Sequence, residues 1–206
     1  MINVTNINVN GLGQADPSII LDIMKIIEKY GDKHSALQKI TVSCDINAPL
    51  YWWREFNIYK TCTTQNAYDA MNKFNYTIFA NEFKLDDFSY EQLIDDEMFT
   101  YPLGGGWRGL NAFQLLCCTI EALNRARKRY LFTRDKKYWQ QIINLLPSAY
   151  NQSYGILISY GDLAYIYNKR KFGNNILGEW DDFCDWVESL PCSELITNNN
   201  ETMDTN

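Results

Sequence analysis

Ile and Val alternate with Asn and Thr from Ile2 to Asn10, the period-two pattern of a strand with one buried face. Asp16 and Pro17 then form a helix start, an N-cap followed by proline at the first helical position. Ile19, Ile20, Ile23, Met24 and Ile27 recur at helical spacing, and Gly31 offers a stop. Residues 38–46, QKITVSCDI, predict a second strand. Pro49 opens a helix carrying Tyr51, Trp52, Arg54, Glu55 and Ile58. YTIFA at 76–80 reads as a short strand, and the acidic stretch 86–99 as a short helix after Ser89.

The second half is more helical. Leu110 to about Phe132 predicts the longest helix, with Phe113, Leu116, Cys117, Ile120 and Leu123 on its buried face. Another runs 135–145 and stops before Pro147. SYGILIS at 153–159 is a strand or an extended connection. Helices follow at 161–171 and 178–190, the latter burying Trp180, Phe183, Cys184, Val187 and Leu190. The pattern predicts an α+β fold: a single helix-dominated domain over residues 1–196 with a small antiparallel sheet. Residues 197–206 are polar and expected to be a disordered tail.

Composition narrows the chemistry. The net charge of −6 argues against a general nucleic-acid binder but leaves room for a local basic site. Aromatic residues make up 15% of the chain, suited either to core filling or to a surface that stacks flat ligands. The six cysteines include no C-x-x-C pair and His34 is the only histidine, so no metal spacing is present. MINVTNINVN lacks the features of a signal peptide, and no run of ~18 apolar residues could span a membrane. A cytoplasmic protein with reduced thiols is expected. YPLGGGWRG, with Gly104–Gly106 at its centre, reads as a flexible turn because the strand and fingerprint of a phosphate cradle are missing.

Two stretches carry a resemblance. ITVSCDINAPLYWWREFNIYKTCTTQNAYDAMNKF (Ile40–Phe74) resembles the signature region of flavin-dependent thymidylate synthases. There a strand leads into Ala/Val-Pro, an aromatic-rich helix with an Arg–Gln pair, and the motif R-H-R-x-x-S-x-N-E-x-S-x-R-Y. Leu145–Trp180 is similar to that family's later segment, with Leu146, Pro147 and the helix-terminal Arg170 in matching places. The resemblance implies a thymidylate synthase complementing protein-like fold, a nucleotide cleft and a homo-oligomer, tetrameric in that family, with sites shared between subunits.

The matched positions carry little of the family's chemistry. R-H-R falls on Ile58, Tyr59 and Lys60, its Ser on Thr63, Asn-Glu on Gln65 and Asn66, its second Ser on Tyr68, and Arg-Tyr on Ala70 and Met71. The family's Gln beside the helix Arg becomes Glu55; in the later segment an Asn becomes Ser159 and a His becomes Asn174. Arg54 and Arg170 are retained, Lys60 and Thr63 in kind. A bidentate Arg–phosphate contact cannot be reproduced by Ile58 or Ala70. Each lost charge-assisted bond removes roughly 1.5–3 kcal/mol, so several losses weaken anion binding by powers of ten.

These residues imply a degenerate relative that binds a nucleotide without turning it over. Arg54, Tyr59, Lys60, Thr63, Gln65, Asn66, Tyr68 and Arg170 are the candidate ligand residues, with Arg170 the strongest phosphate contact. No catalytic residue and no cofactor is expected. FAD belongs only to the alternative, an enzyme acting on a nucleotide; a third reading is an interaction protein that kept the oligomeric fold. Such an eroded motif suits a bacteriophage protein that sequesters a host nucleotide immune signal. Trp52 and Trp53 point about 100° apart on a helix, so one is expected in the core and the other at an interface or the cleft. The basic run Arg125, Arg127, Lys128, Arg129, Arg134, Lys136 and Lys137 either complements a helix C-terminus or forms a rim that draws in anions.

Overall fold

The computed structural model describes residues 2–12, 18, 20, 21, 25, 29, 36–59, 63–67, 77–83, 85, 88, 111–173 and 177–197, with backbone alone for 63–67. Four strands form one sheet: β1 (Asn3–Asn10), β2 (Thr41–Pro49), β3 (Thr63–Ala67) and β4 (Asn151–Ser159), in the order β1-β2-β4-β3. β1 pairs antiparallel with β2, and β3 with β4. At the centre, the Tyr160 N–H donates to the Ile40 carbonyl and Asn47 Nδ2 donates to Ser153 Oγ, so β2 and β4 also run antiparallel. Six helices are bounded among the described residues: α1 (Leu50–Phe56), α2 (Ala112–Thr133), α3 (Lys136–Leu145), α4 (Tyr160–Lys171), α5 (Glu179–Glu188) and α6 (Glu194–Thr197). Ser18, Ile20, Leu21, Lys25 and Lys29 are helical too, on the stretch that the Ile19–Ile27 pattern predicts. Helices with a small antiparallel sheet are the expected α+β architecture.

The chain clusters into two compact units, interleaved in sequence: Met1–Ala48, Trp52–Tyr68 and Ser153–Asn206 in the first, Pro49–Tyr51 and Asp69–Gln152 in the second. In the first unit β2 obeys strict alternation, burying Val42, Cys44, Ile46 and Ala48. β1 does not. Asn6 adopts φ 53°, the pairing shifts between Thr5 and Asn8, and Asn6 Nδ2 donates to Asp45 Oδ2 at 2.6 Å. Asn tolerates this left-handed conformation at the irregularity, and Ile7 beside it is exposed.

Both tryptophans of α1 are core residues, against the expectation that one would serve an interface. Trp52 stacks on Phe56 (centroids 4.9 Å) and meets Trp180 and Phe183 of α5 at 5.0 and 5.8 Å. Trp53, on the adjacent face, packs edge-on against Tyr154 of β4 at 4.6 Å. Cover on both sides is why adjacent positions can both be apolar. Pro49 closes β2 rather than starting the helix, and a 3-10 turn continues α1 through Asn57–Tyr59. Lys171 Nζ and the Tyr167 hydroxyl of α4 both reach Glu188 Oε1 of α5 at 2.7 Å. The Lys171 ammonium and Tyr167 hydroxyl hold the Glu188 carboxyl below its usual range. Thr197, placed in the tail by the sequence reading, lies in α6 beside buried Leu195 and Ile196; residues 198–206 lie outside the described residues.

In the second unit α2 and α3 pack together over a core of Ile78, Phe83, Leu116, Leu123, Ala126, Ile142, Ala149 and Tyr150. The long helix buries Leu116, Leu123, Ala126 and Arg127, while Phe113 and Ile120 are half-buried and Cys117 is exposed, one position off the predicted stripe. Of the predicted strand at 76–80, the described residues Thr77–Ala80 form none, and Tyr76 lies outside them. Asn124 of α2 takes both backbone groups of Ile78 instead, accepting its N–H and donating to its carbonyl at 2.9 Å each. Side-chain satisfaction of a backbone pair removes the need for a strand partner. The predicted helix after Ser89 and the Tyr101–Gly109 loop lie outside the described residues.

Two outcomes follow from these contacts. Asn124→Ala orphans both backbone groups of a buried residue and should destabilise the protein by about 1–3 kcal/mol in urea unfolding; a loss below about 0.5 kcal/mol would remove Asn124 from that role. Burial pushes the Tyr150 hydroxyl up to about 12, helped by the nearby Glu82 charge, the Tyr167 hydroxyl to about 12 and the Cys184 thiol to about 11. Their folded values exceed the ordinary 10.0 and 9.0, so the fold favours the neutral forms. Stability is therefore complete below about pH 9 and declines as pH rises toward 12. Tyrosine absorbance at 295 nm should rise together with loss of structure across that window; early titration of every tyrosine in an intact fold would contradict the burial.

Candidate functional site

The cluster that answers the sequence expectations sits in the first unit, where the end of α1, the last turns of α4 and the start of α5 meet. Arg170 lies at the C-terminal turn of α4, where a cation is favoured. Its guanidinium carbon is 3.8 Å from the Trp180 ring centroid and 5.3 Å from that of Tyr59. Its Nε donates to the Tyr59 hydroxyl at 2.6 Å, and one terminal nitrogen is 3.1 Å from Glu55 Oε2. The same Glu55 oxygen accepts from Trp180 Nε1 at 2.9 Å. Four side chains thus form a closed loop around one charge: Glu55 neutralises it, Trp180 stacks under it, and Tyr59 receives its inner N–H.

Arg170 is mostly buried, its side chain 20% exposed, and its positive charge is compensated from within the chain. The residue that the sequence nominates as the strongest phosphate contact is thus already paired inside the chain. The compensating group is Glu55, the position where the resemblance places a neutral Gln. Arg54, by contrast, turns to solvent on α1 rather than pairing with Glu55. Tyr59 is half-buried, Tyr165 of α4 stands 51% exposed with its ring 6.1 Å from that of Tyr59, and Lys169 Nζ lies 5.9 Å over the Tyr165 ring. Ile58 is 72% exposed. The surface beside the Arg170 loop therefore combines exposed aromatic and aliphatic area with the Lys169 ammonium.

Thr63, Gln65 and Asn66 fall on β3, an edge strand of the sheet, with Thr63 opposite Leu157 and Gln65 opposite Gly155. Lys60, Tyr68, Cys62, His34 and Asn174 lie outside the described residues. Ser159 is buried and caps α4, accepting the Asp162 N–H at 3.0 Å while its hydroxyl donates to the Asp162 carboxylate at 2.6 Å. Glu55, Tyr165 and Trp180 are site residues that sequence reasoning did not nominate. Glu55 and Arg170 are 115 positions apart, and no periodicity links them. No group of three His, Cys, Asp or Glu side chains suited to a metal occurs among the described residues, and no described helix is long and apolar enough to cross a membrane.

No family model and no curated protein matches the sequence. Solved structures do. The chain is similar to thymidylate synthase X (ThyX) from Helicobacter pylori with FAD and dUMP, with a TM-score of 0.52 and 15% identity over 96% of this chain and 98% of that one. A second structure, flavin-dependent thymidylate synthase ThyX from Helicobacter pylori complexed with FAD and dUMP, gives 0.51 and 15% over 95% and 98%. The fold is that of the flavin-dependent thymidylate synthases, matched along nearly the whole chain, and at this identity the likeness is one of fold.

The closed loop makes a direct prediction. Glu55→Ala leaves the Arg170 guanidinium without its counter-charge and the Trp180 N–H without an acceptor. It should cost about 1–3 kcal/mol, the ion-pair share being reduced by partial solvent exposure. Glu55→Gln keeps an acceptor for Trp180 and should cost less. Equal stability of Glu55→Ala and wild type in urea melts would show that the loop does not hold.

Proposed function

We propose that this is a non-catalytic nucleotide-binding protein on a thymidylate synthase X-like fold, one that retains a ligand rather than converting it. The observation that carries this reading is the internal neutralisation of Arg170 beside accessible aromatic faces. A cation at a matched phosphate position has been given an internal anion, while Tyr59 and Tyr165 offer ring area to a flat ligand. Stacking of a base on such a ring contributes about 1–3 kcal/mol and needs no charge.

The fold neighbours are named with FAD and dUMP, and the residues here do not fit a flavin diphosphate well. At the positions that resemble the family's R-H-R, Ile58 has no donor and Tyr59 is already engaged by Arg170. A diphosphate would have to displace Glu55 from Arg170 against their mutual attraction. No hydride step is derived for this chain. Sequestering a nucleotide signal is the biological role that retention without turnover would serve, and a bacteriophage source would suit it.

Titration calorimetry against nucleoside monophosphates, diphosphates and cyclic nucleotides should find at least one ligand in the micromolar range. Tyr165→Ala should weaken it about 5- to 100-fold, the value of one stacked base. Glu55→Gln, by releasing Arg170 toward phosphate, should tighten binding about tenfold. Absence of any binding below about 1 mM would end the nucleotide reading; purified protein with flavin absorbance would favour the enzyme alternative instead.

A further inference from the structure

The second unit carries a charge arrangement that its helices do not require. From Arg125 to Lys137 there are seven cations and one acid, Asp135, a net +6 in a chain whose total is −6. Dipole compensation does not account for it. The last turn of α2 contains no basic residue, and the helix-end effect fades within one turn. Lys136 and Lys137 occupy the first turn of α3, the end where a cation opposes the dipole. Arg127 is buried and donates to Thr77 Oγ1 at 3.1 Å; of the exposed cations, Arg125 meets Glu121 and Lys137 meets Asp135 at 3.1 Å.

Arg125, Lys128, Arg129 and Phe132 sit at i, i+3, i+4 and i+7, so they share one face of α2 over roughly 10 Å. They line an open groove of about 390 Å³. Phe132 is 90% exposed. It stands out as a protruding ring at the end of a row of cations. A single exposed apolar residue needs no explanation, but one that continues a cationic stripe has a ligand chemistry. Cations along a backbone-length track beside a protruding aromatic face match single-stranded nucleic acid, whose phosphates neutralise the cations and whose unpaired bases can stack.

We infer that the Arg125–Phe132 face of α2 binds a short single-stranded nucleic acid, with Arg125, Lys128 and Arg129 on phosphates and Phe132 under one base. The site uses no residue of the Arg170 cluster. It depends on local charge density, so the acidic total confines binding to this face and excludes a long footprint. A duplex offers the same phosphates but no free base for Phe132. An acidic peptide offers charge but no flat ring requirement.

The test is fluorescence anisotropy of the full chain with labelled 12-nucleotide oligo-dT and oligo-U at 50 and 200 mM salt. Binding should be measurable at low salt and fall with a log–log slope near −2, about −0.7 for each of three cations. Phe132→Ala should weaken it about 5- to 100-fold, and Lys128→Glu with Arg129→Glu should abolish it. These side chains are exposed, so unchanged circular dichroism melting of each variant confirms that only the surface was altered. Three results would overturn the inference: no binding tighter than about 1 mM at 50 mM salt; wild-type affinity in either variant; or equal binding of the matching duplex or of poly-glutamate, which would leave a non-specific anion surface or a protein-binding face. Mononucleotide titration of the same variants separates this site from the Arg170 region, whose ligand affinity should not change.

Discussion

Trp52, with no exposed surface, is the contact on which the first unit turns. It sits on a seven-residue helix that could not stand alone, since helices shorter than about 12 residues are marginal without tertiary support. Packing against Phe56, Trp180 and Phe183 supplies that support. Trp53 does the same toward Tyr154, so α1 is held from two directions. With α1 fixed in this way, Glu55 and Tyr59 have defined positions, and the Arg170 loop can close. The polar arrangement is a consequence of the aromatic one.

Two groups of cations in this chain are treated in opposite ways. Arg170 is drawn in, stacked on Trp180 and matched to Glu55, which makes it costly to recruit elsewhere. Arg125, Lys128 and Arg129 of α2 stay outside, spread along one helix face, while Arg127 of the same helix is buried. A neutralised arginine organises its surroundings, whereas solvated cations remain available to an anion. The Glu55 carboxylate, 3.1 Å away, is what puts Arg170 in the first condition.

Much of the element order was legible because periodicity is a local property. The alternation in β2, the spacing on α5 and the extent of α2 could all be read from residue patterns. The errors have local causes of another kind. YTIFA has the composition of a strand, yet Asn124 satisfies the Ile78 backbone and no partner strand is needed. The alternation in β1 reads as regular pairing, yet its register shifts between Thr5 and Asn8, where Asn6 takes φ 53°. Cys117 is apolar, yet the helix presents it outward.

The sequence by itself determined the α+β class and the order of most strands and helices, because patterning is carried by each residue and its near neighbours. Tertiary structure decided which charges are already matched. Whether Arg170 is free depends on a carboxylate 115 positions away, brought to 3.1 Å by a short helix wedged among tryptophans. Electrostatic pairing acts through space and falls off within a few ångströms, so only the folded arrangement could show that the retained arginine had been given a partner.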